Sequence, residues 1–474
     1  MTGLVLALVL LITLFLNVHT SYRNVFTKFV NIFLSLCLIG ASVLLPYELD
    51  KVGALFDAVV GEKAVVNVYR MSNAYMSAHQ FSNIYQYEMD GDRAVLSSLR
   101  EAEFITSLSA DRENAQYGLA QLKDAFNDNV SYTDYDNLME AADALYNHKG
   151  DFLIMGEADE SVLEDMGYDT FSLDTVKVAS FTRNVTSRIV SQASLTEQPF
   201  TIFIGGNDEE GQLSLEGRTD VDMLVSVNPK SHQAAIISMP RDAYIPNPYY
   251  GGKKDKLTHF GLKGIDNTLE GLGDYLDVKI DNYVIVNFTT YMNIINAVGG
   301  VDVDNPYEFT YTYEPYDTFP EGQVHLEGYA ALEYVRERKS LDDGDFGRAY
   351  HQQLVMKALI NKITSPQGIV HFNDILDSIN GNIMTNLSSD AIYGLAQKQL
   401  SQKISWNLVN YHVIGDSDMA EPASMPGQYA SVVYPYDNQV EFCRHVIDQV
   451  EAGDILTQEE MPEGEYYENK KEIN

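Results

Sequence analysis

The chain has 474 residues, enough for two or three domains and a sizeable core. Hydrophobic content of 45% and charged content of 21% exclude wholesale disorder. A net charge of -36 excludes bulk nucleic acid as a partner, since a polyanion needs Lys and Arg to displace its counterions, and it makes any local group of arginines conspicuous.

The chain opens on two apolar runs, Thr2–Leu16 and Phe29–Leu45. A bilayer core takes roughly 17–25 mainly apolar residues per helix, so the second run is long enough and the first becomes so only if Asn17 and Val18 extend it. The loop between them carries His19, Arg23 and Lys28 and no acid, whereas PYELDKVGALFD after the second is acidic on balance. Positive charge stays in the cytoplasm. The expected arrangement is therefore a two-helix anchor over residues 1–46 with everything after Pro46 outside the cell. A cleaved signal peptide is the rival. Cys37 lies in the second run and Cys443 in the helix-patterned FCRHVIDQV, so two unpaired small hydrophobes are expected rather than a disulfide.

Residues 47–194 form an expected accessory α+β domain. Ala64–Tyr69 is β-branched and strand-like, and the apolar spacing across Asp92–Phe126 suits amphipathic helices. Asp151–Phe181 reads as strand, short helix, strand. The stretch carries no metal spacing, phosphate loop or nucleophile motif.

From Pro199 short β-rich runs alternate with helical segments: Thr201–Ile204, Met223–Val227, Ala234–Met239 and Tyr283–Asn287 as strands, then Phe288–Val298 as a helix closed by Gly299 and Gly300. VDVDNP is a further strand, and Glu327–Lys339 and Phe346–Ile363 look helical. The fold class expected for residues 195–452 is α/β, a layered α-β-α domain with a mixed central sheet. Residues 453–474 form an acidic tail, expected to fray.

Three clusters put arginine beside acid at an element boundary: EGRTDVDM (Glu216–Met223), SMPRDAYIP (Ser238–Pro246) and YVRERKSLDDGDFGRAYHQQ (Tyr334–Gln353). Strand ends of open α/β sheets are where ligands usually sit. Guanidinium groups bind phosphate oxygens through paired hydrogen bonds, worth roughly 1.5–3 kcal/mol each, so several arginines could grip a pyrophosphate. Pairing with neighbouring acids is the bland alternative, strongest for Arg241 and Asp242. Arg336 and Arg338 do not share a helix face, so their side chains converge only if the helix unwinds into SLDDGD.

These segments, with KLTHF near Lys256 and FTTYMNIINAVGGVDVDNP, resemble in order and spacing the LytR–CpsA–Psr cell-wall glycan transferases, over roughly Pro199–Val450. The resemblance implies a membrane-anchored phosphotransferase of the Gram-positive envelope with its catalytic domain outside the cell. It would move a glycan-phosphate from a polyprenyl-pyrophosphate carrier onto peptidoglycan, the glycan being teichoic acid, capsule or another secondary polymer. Asp208 and Asp220 match the acids that hold magnesium, or manganese in its place. Arg218, Arg241, Arg336, Arg338 and Arg348, with Gln352, match the pyrophosphate-binding set. Asp345 matches the acid that assists the attacking hydroxyl, and Arg241, Arg336 and Arg338 count with it as catalytic. His351 stands where the family often has arginine, which puts one distal phosphate contact in doubt, and LTHF replaces INHA, so His259 is read as structural. An apolar groove for the lipid tail is expected, its lining not legible. Two rivals use the same chain differently: a pyrophosphatase releasing glycan-phosphate to water, and a non-enzymatic envelope-binding or regulatory protein.

Overall fold

In the computed structural model the described residues are 63–466, apart from 82–86, 92, 186, 190, 192–194, 208–213, 366–374, 376–382 and 403. Both expected spans, and with them Cys37, lie outside these residues. Among the described residues no helix is long and apolar enough to cross a membrane.

The first sheet is built from β1 (Lys63–Met71), β2 (Phe104–Thr106), β3 (Tyr132–Asp134), β4 (Phe152–Gly156) and β5 (Thr175–Asn184), in the order β3-β2-β4-β1-β5. Its helices are α1 (Arg112–Phe126), α2 (Leu138–Tyr146) and α3 (Asp159–Asp165). Asp111 caps α1 by accepting from the Asn114 amide, and Asn127 closes it in the left-handed conformation. The expectation of helices across Asp92–Phe126 holds only from Arg112. Before it, Leu96–Leu99 is a single tight turn and Phe104–Thr106 is a fully buried strand, because a β-branched and aromatic run flanked on both sides by strands packs best as sheet.

The second sheet is mixed: β6 (Phe200–Asn207), β7 (Val221–Asn228), β8 (Gln233–Met239), β9 (Asn282–Asn287), β10 (Ile383–Thr385) and β11 (Asn407–His412), ordered β10-β9-β6-β7-β8-β11. β7 runs antiparallel to both β6 and β8, while β9–β6 and β8–β11 are parallel. Alternation sorts the side chains to two faces. Phe203, Leu224 and Ile237 pack with α4 (Ile265–Leu276) and α9 (Asp437–Ala452); Met223, Val225 and Ile236 pack with α7 (Gly344–Thr364), which shares a cavity wall with α8 (Ser389–Gln402). The result is three layers. A separate core of Ile295, Val301, Phe309, Tyr334 and Val355 joins α5 (Phe288–Ala297), α6 (Gly328–Arg336) and α7. Cys443 is buried in α9 and unpaired.

The tail after Ala452 is not loose over its described part. Leu456 is buried, and Gln233 clamps the segment by donating to the Asp454 carbonyl at 2.7 Å and accepting from the Leu456 amide at 2.7 Å. Its acids stay in solvent while the apolar residue between them seats on the sheet.

The two sheets meet through buried polar groups. Lys263 is 3.5 Å from Asp159 and 3.9 Å from Asp111. Glu216 accepts from Asn114 at 2.7 Å and pairs with Arg183. Burial, then the neighbouring Asp111, pushes Glu216 up to about 7.

Candidate active site

Most of the chemistry-bearing residues collect at one edge of the second sheet. β6 ends at Asn207, the antiparallel β7 begins at Val221 and β8 ends at Met239, so pairing of Asp222 with both Gly205 and Met239 brings the loops before β7 and after β8 together. The Asp220 amide donates to the Gly206 carbonyl at 2.7 Å, fixing Arg218–Asp220 above the sheet edge. The N-terminal part of α7, which holds Asp345 and Arg348, closes on the same edge.

Arg241 Nη1 sits 2.6 Å from Asp220 Oδ1. Its other acidic neighbour, Asp242, is 3.9 Å away and is engaged by Lys256 at 2.8 Å. The bland pairing of Arg241 with Asp242 is thus the lesser contact. Burial alone would lift the Asp220 carboxyl, but Arg241, then Arg348 and Arg218, hold it below the usual carboxylate range. Arg348 Nη2 lies 2.8 Å from Asp345 Oδ1, three residues earlier on the helix. Burial and the cations of Arg241 and Arg338 pull Arg348 below its ordinary value, against Asp345 and Asp220. These residues therefore share one electrostatic neighbourhood. Within it, Arg241 Nε and Arg348 Nε are buried and have no hydrogen-bond acceptor among the described residues. Buried donors without acceptors are costly, and two guanidinium edges converging in this way suit an incoming anion.

α6 ends at Arg336, and Glu337 is extended with φ -63° and ψ 136°. Side chains two apart on extended backbone share a side: Arg336 and Arg338 are both exposed, while Glu337 between them is buried. Glu337 accepts from Thr312 N, Thr312 Oγ1, Arg338 N and Ser340 N at 2.6–2.9 Å, which fixes the turn. Arg336 lies over the Phe288 ring, 4.4 Å from its centroid. Gln352 donates to the Val335 carbonyl at 3.3 Å and so supports the end of α6.

His351 does not face this site. Its ring stacks on Tyr334 at 4.5 Å and Phe309 at 4.8 Å, fully buried in the α5–α6–α7 core. The position expected to weaken a phosphate contact is an aromatic core position instead, its ring held in the stack with Tyr334 and Phe309.

Arg218 reaches the first domain: its Nη1 is 3.1 Å from Asp165 Oδ2 and 3.3 Å from the Ser161 carbonyl. Nothing local in sequence points to Asp165, which carries no motif and lies far from Arg218 along the chain. His259 is buried and structural, held by Asp255, Ser424 and the same Asp165 oxygen.

Asp208 lies outside the described residues, so only Asp220 of the expected metal pair can be placed. Beside it, burial pushes Asp222 up to about 8, against a 2.6 Å hydrogen bond from Thr219, and Asp222 Oδ2 is buried without a partner. Among the described residues no group of three or more metal-ligating side chains occurs. Magnesium needs fewer, taking one or two carboxylates with water and phosphate oxygens, and Asp220, held ionised, fits as one of them.

On the α7 face of the sheet an apolar cavity of about 440 Å³ is lined by Phe200, Ile202, Val225, Ile360, Leu395 and Trp406 among others. α7 thus borders the cavity at one end and carries Arg348 at the other.

The LytR_cpsA_psr family model matches residues 169–425. Among curated proteins, the polyisoprenyl-teichoic acid--peptidoglycan teichoic acid transferase TagU of Bacillus mycoides is 37% identical over 216 residues, which is 45% of this chain and 69% of that protein. The protein of the same name in Enterococcus faecalis is 32% identical over 210 residues, 44% and 68% of the two chains. Of solved structures, Bacillus subtilis TagV is 27% identical with a TM-score of 0.46, covering 54% of this chain and 99% of that one. TagT bound to LIIa-WTA is 25% identical with a TM-score of 0.43, covering 56% and 94%.

Proposed function

The chain belongs to the LytR_cpsA_psr family, and from that premise we propose that it is a glycopolymer–peptidoglycan phosphotransferase. It takes a glycan-phosphate from a polyisoprenyl-pyrophosphate carrier and joins it to a peptidoglycan hydroxyl. Teichoic acid is the favoured polymer, since that is what the named relatives transfer. The observation that carries this reading is the pair of buried, acceptorless Nε donors of Arg241 and Arg348.

Each residue has a task in this reading. Arg241 and Arg348 bind the oxygens of the pyrophosphate from within the sheet edge. Arg218, Arg336 and Arg338 neutralise it from the rim, and Gln352 steadies the α6 terminus that presents Arg336. Asp220, with Asp208, would hold magnesium or manganese, and such an ion would supply charge neutralisation for the pyrophosphate. Asp345, placed by Arg348, takes the proton of the acceptor hydroxyl. That oxygen bonds to the phosphorus next to the glycan, the bond to the polyprenyl phosphate breaks, and polyprenyl phosphate leaves. Positioning and charge, rather than a covalent intermediate, do the work. The apolar cavity suits the prenyl tail, and an anchor over residues 1–46 with the catalytic domain outside the cell keeps the site beside the membrane that holds the carrier.

The test is turnover of a polyprenyl-pyrophosphate-linked glycan on isolated peptidoglycan with magnesium. A phosphodiester-linked glycan on peptidoglycan is expected. Free glycan-phosphate as the sole product, with peptidoglycan present, would identify a pyrophosphatase and overturn the reading.

A further inference from the structure

The first domain contributes one side chain to the sheet edge that carries the arginines. Asp165 ends α3, and its Oδ2 meets Arg218 Nη1 at 3.1 Å and His259 Nε2 at 3.3 Å. His259 is itself fixed from behind. Its Nδ1 is 2.8 Å from Ser424 Oγ and 3.3 Å from Asp255 Oδ1, and Asp255 is fully buried, accepting from Asn247 Nδ2 at 3.1 Å and Ser424 Oγ at 2.8 Å. Asp165 is therefore held by a closed polar chain running back into the second domain.

Among the described residues Arg218 is held on one edge only, through Nη1, by Asp165 and the Ser161 carbonyl. Its charge also reaches Asp220, so the guanidinium lies between the first domain and the phosphate edge. A free arginine side chain carries rotamer entropy that ligand binding must overcome. A carboxylate gripping one edge removes that freedom beforehand and leaves the rest of the fork for an anion.

We propose that Asp165 is a positioning residue for the transfer reaction, orienting Arg218 toward the pyrophosphate, so that the first domain is part of the active site. This rests on the reading of Arg218 as a phosphate ligand. Asp165 acts through Arg218 and touches no substrate. The opposite role, a competitor that occupies Arg218 until phosphate displaces it, predicts the reverse sign.

The experiment measures the affinity of the full chain for farnesyl pyrophosphate with magnesium, in a double-mutant cycle of Asp165→Ala and Arg218→Ala. Asp165→Asn serves as the second variant, since it keeps shape and a hydrogen-bond acceptor while losing charge. Unfolding midpoints are taken for all. The expected result is that Asp165→Ala weakens binding about tenfold, as coupled charged neighbours do, and has no further effect once Arg218 is Ala. Asp165→Asn should fall between. Unchanged or tighter binding in the Asp165 variants overturns the proposal, and so does equal weakening in both Arg218 backgrounds, which marks a merely structural residue. In those cases the phosphate reading stands as long as Arg348→Ala loses binding. If Arg348→Ala and Arg336→Ala both bind as the native protein does, the reading fails and the proposal with it.

Discussion

Arg348 is buried, close to Asp345 on one side and without an acceptor for its Nε. Lysine there keeps the charge and loses the fork. Arg348→Lys should lower the initial transfer rate by roughly 10–100-fold, the loss of one or two charged hydrogen bonds, while the unfolding midpoint stays near that of the native chain. His351 makes a different prediction. Burial holds its pKa down at about 4, well below the ordinary value for histidine. The folded state thus binds fewer protons than the unfolded state between about 6.5 and 4, and the linked stability is complete above that window and lost as pH falls through it. His351→Phe, which keeps the stack on Tyr334 and Phe309, should flatten the fall of the denaturation midpoint over that range; an unchanged slope would refute the assignment. His412, also driven to about 4 by burial, would account for the acid sensitivity that remains. From sequence alone His351 looked like a substitution in the binding wall, because adjacency to Gln352 is visible in a string of letters and the direction of a helix face is not.

Elements were legible where periodicity was long. β6 to β9 and both arginine-bearing helices follow from their apolar spacing, and the exposed Arg336–Arg338 pair follows from the helix ending between them. What could not be read is the contact between elements. Phe104–Thr106 looked helical because its neighbours are, and becomes a strand only once strands lie on both sides of it. Asp165 has no pattern at all, since its role exists only after α3 meets the turn at Leu257–Phe260. That meeting depends on Gly261: a Cβ there would lie 2.2 Å from the Gly217 carbonyl oxygen, and Gly217 N donates to Gly261 O at 3.0 Å. Gly261→Ala must push away the loop that carries Arg218. Overpacking of this kind costs about 1–3 kcal/mol, visible in denaturant titration, and should raise KM for the lipid-linked glycan more than it lowers kcat.

At the scale of the molecule, the two sheets share buried charge. The Lys263 side chain is only 5% exposed and burial lowers its pKa, yet Asp159 and Asp111 raise it well above the ordinary value. Breaking such a group from one side is expensive because the partners stay behind. Lys263→Met should cost about 3 kcal/mol and uncouple the two units, so that calorimetry, expected to show one cooperative transition for the native chain, shows two for the variant. A single transition at an unshifted midpoint would contradict this picture.

The long helix α7 has a metrical consequence. It runs over 21 residues, with Arg348 in its second turn and Met356, Ile360 and Ile363 on the cavity. At 1.5 Å per residue, Arg348 and Ile363 are roughly 22 Å apart along the axis. A single rigid rod thus carries both the mark where a phosphate would rest and the point where greasy wall runs out. Prenyl pyrophosphates of increasing length should bind progressively tighter until the tail spans that distance, and no tighter beyond it. The helix would then work as a gauge of carrier length, graduated in isoprene units.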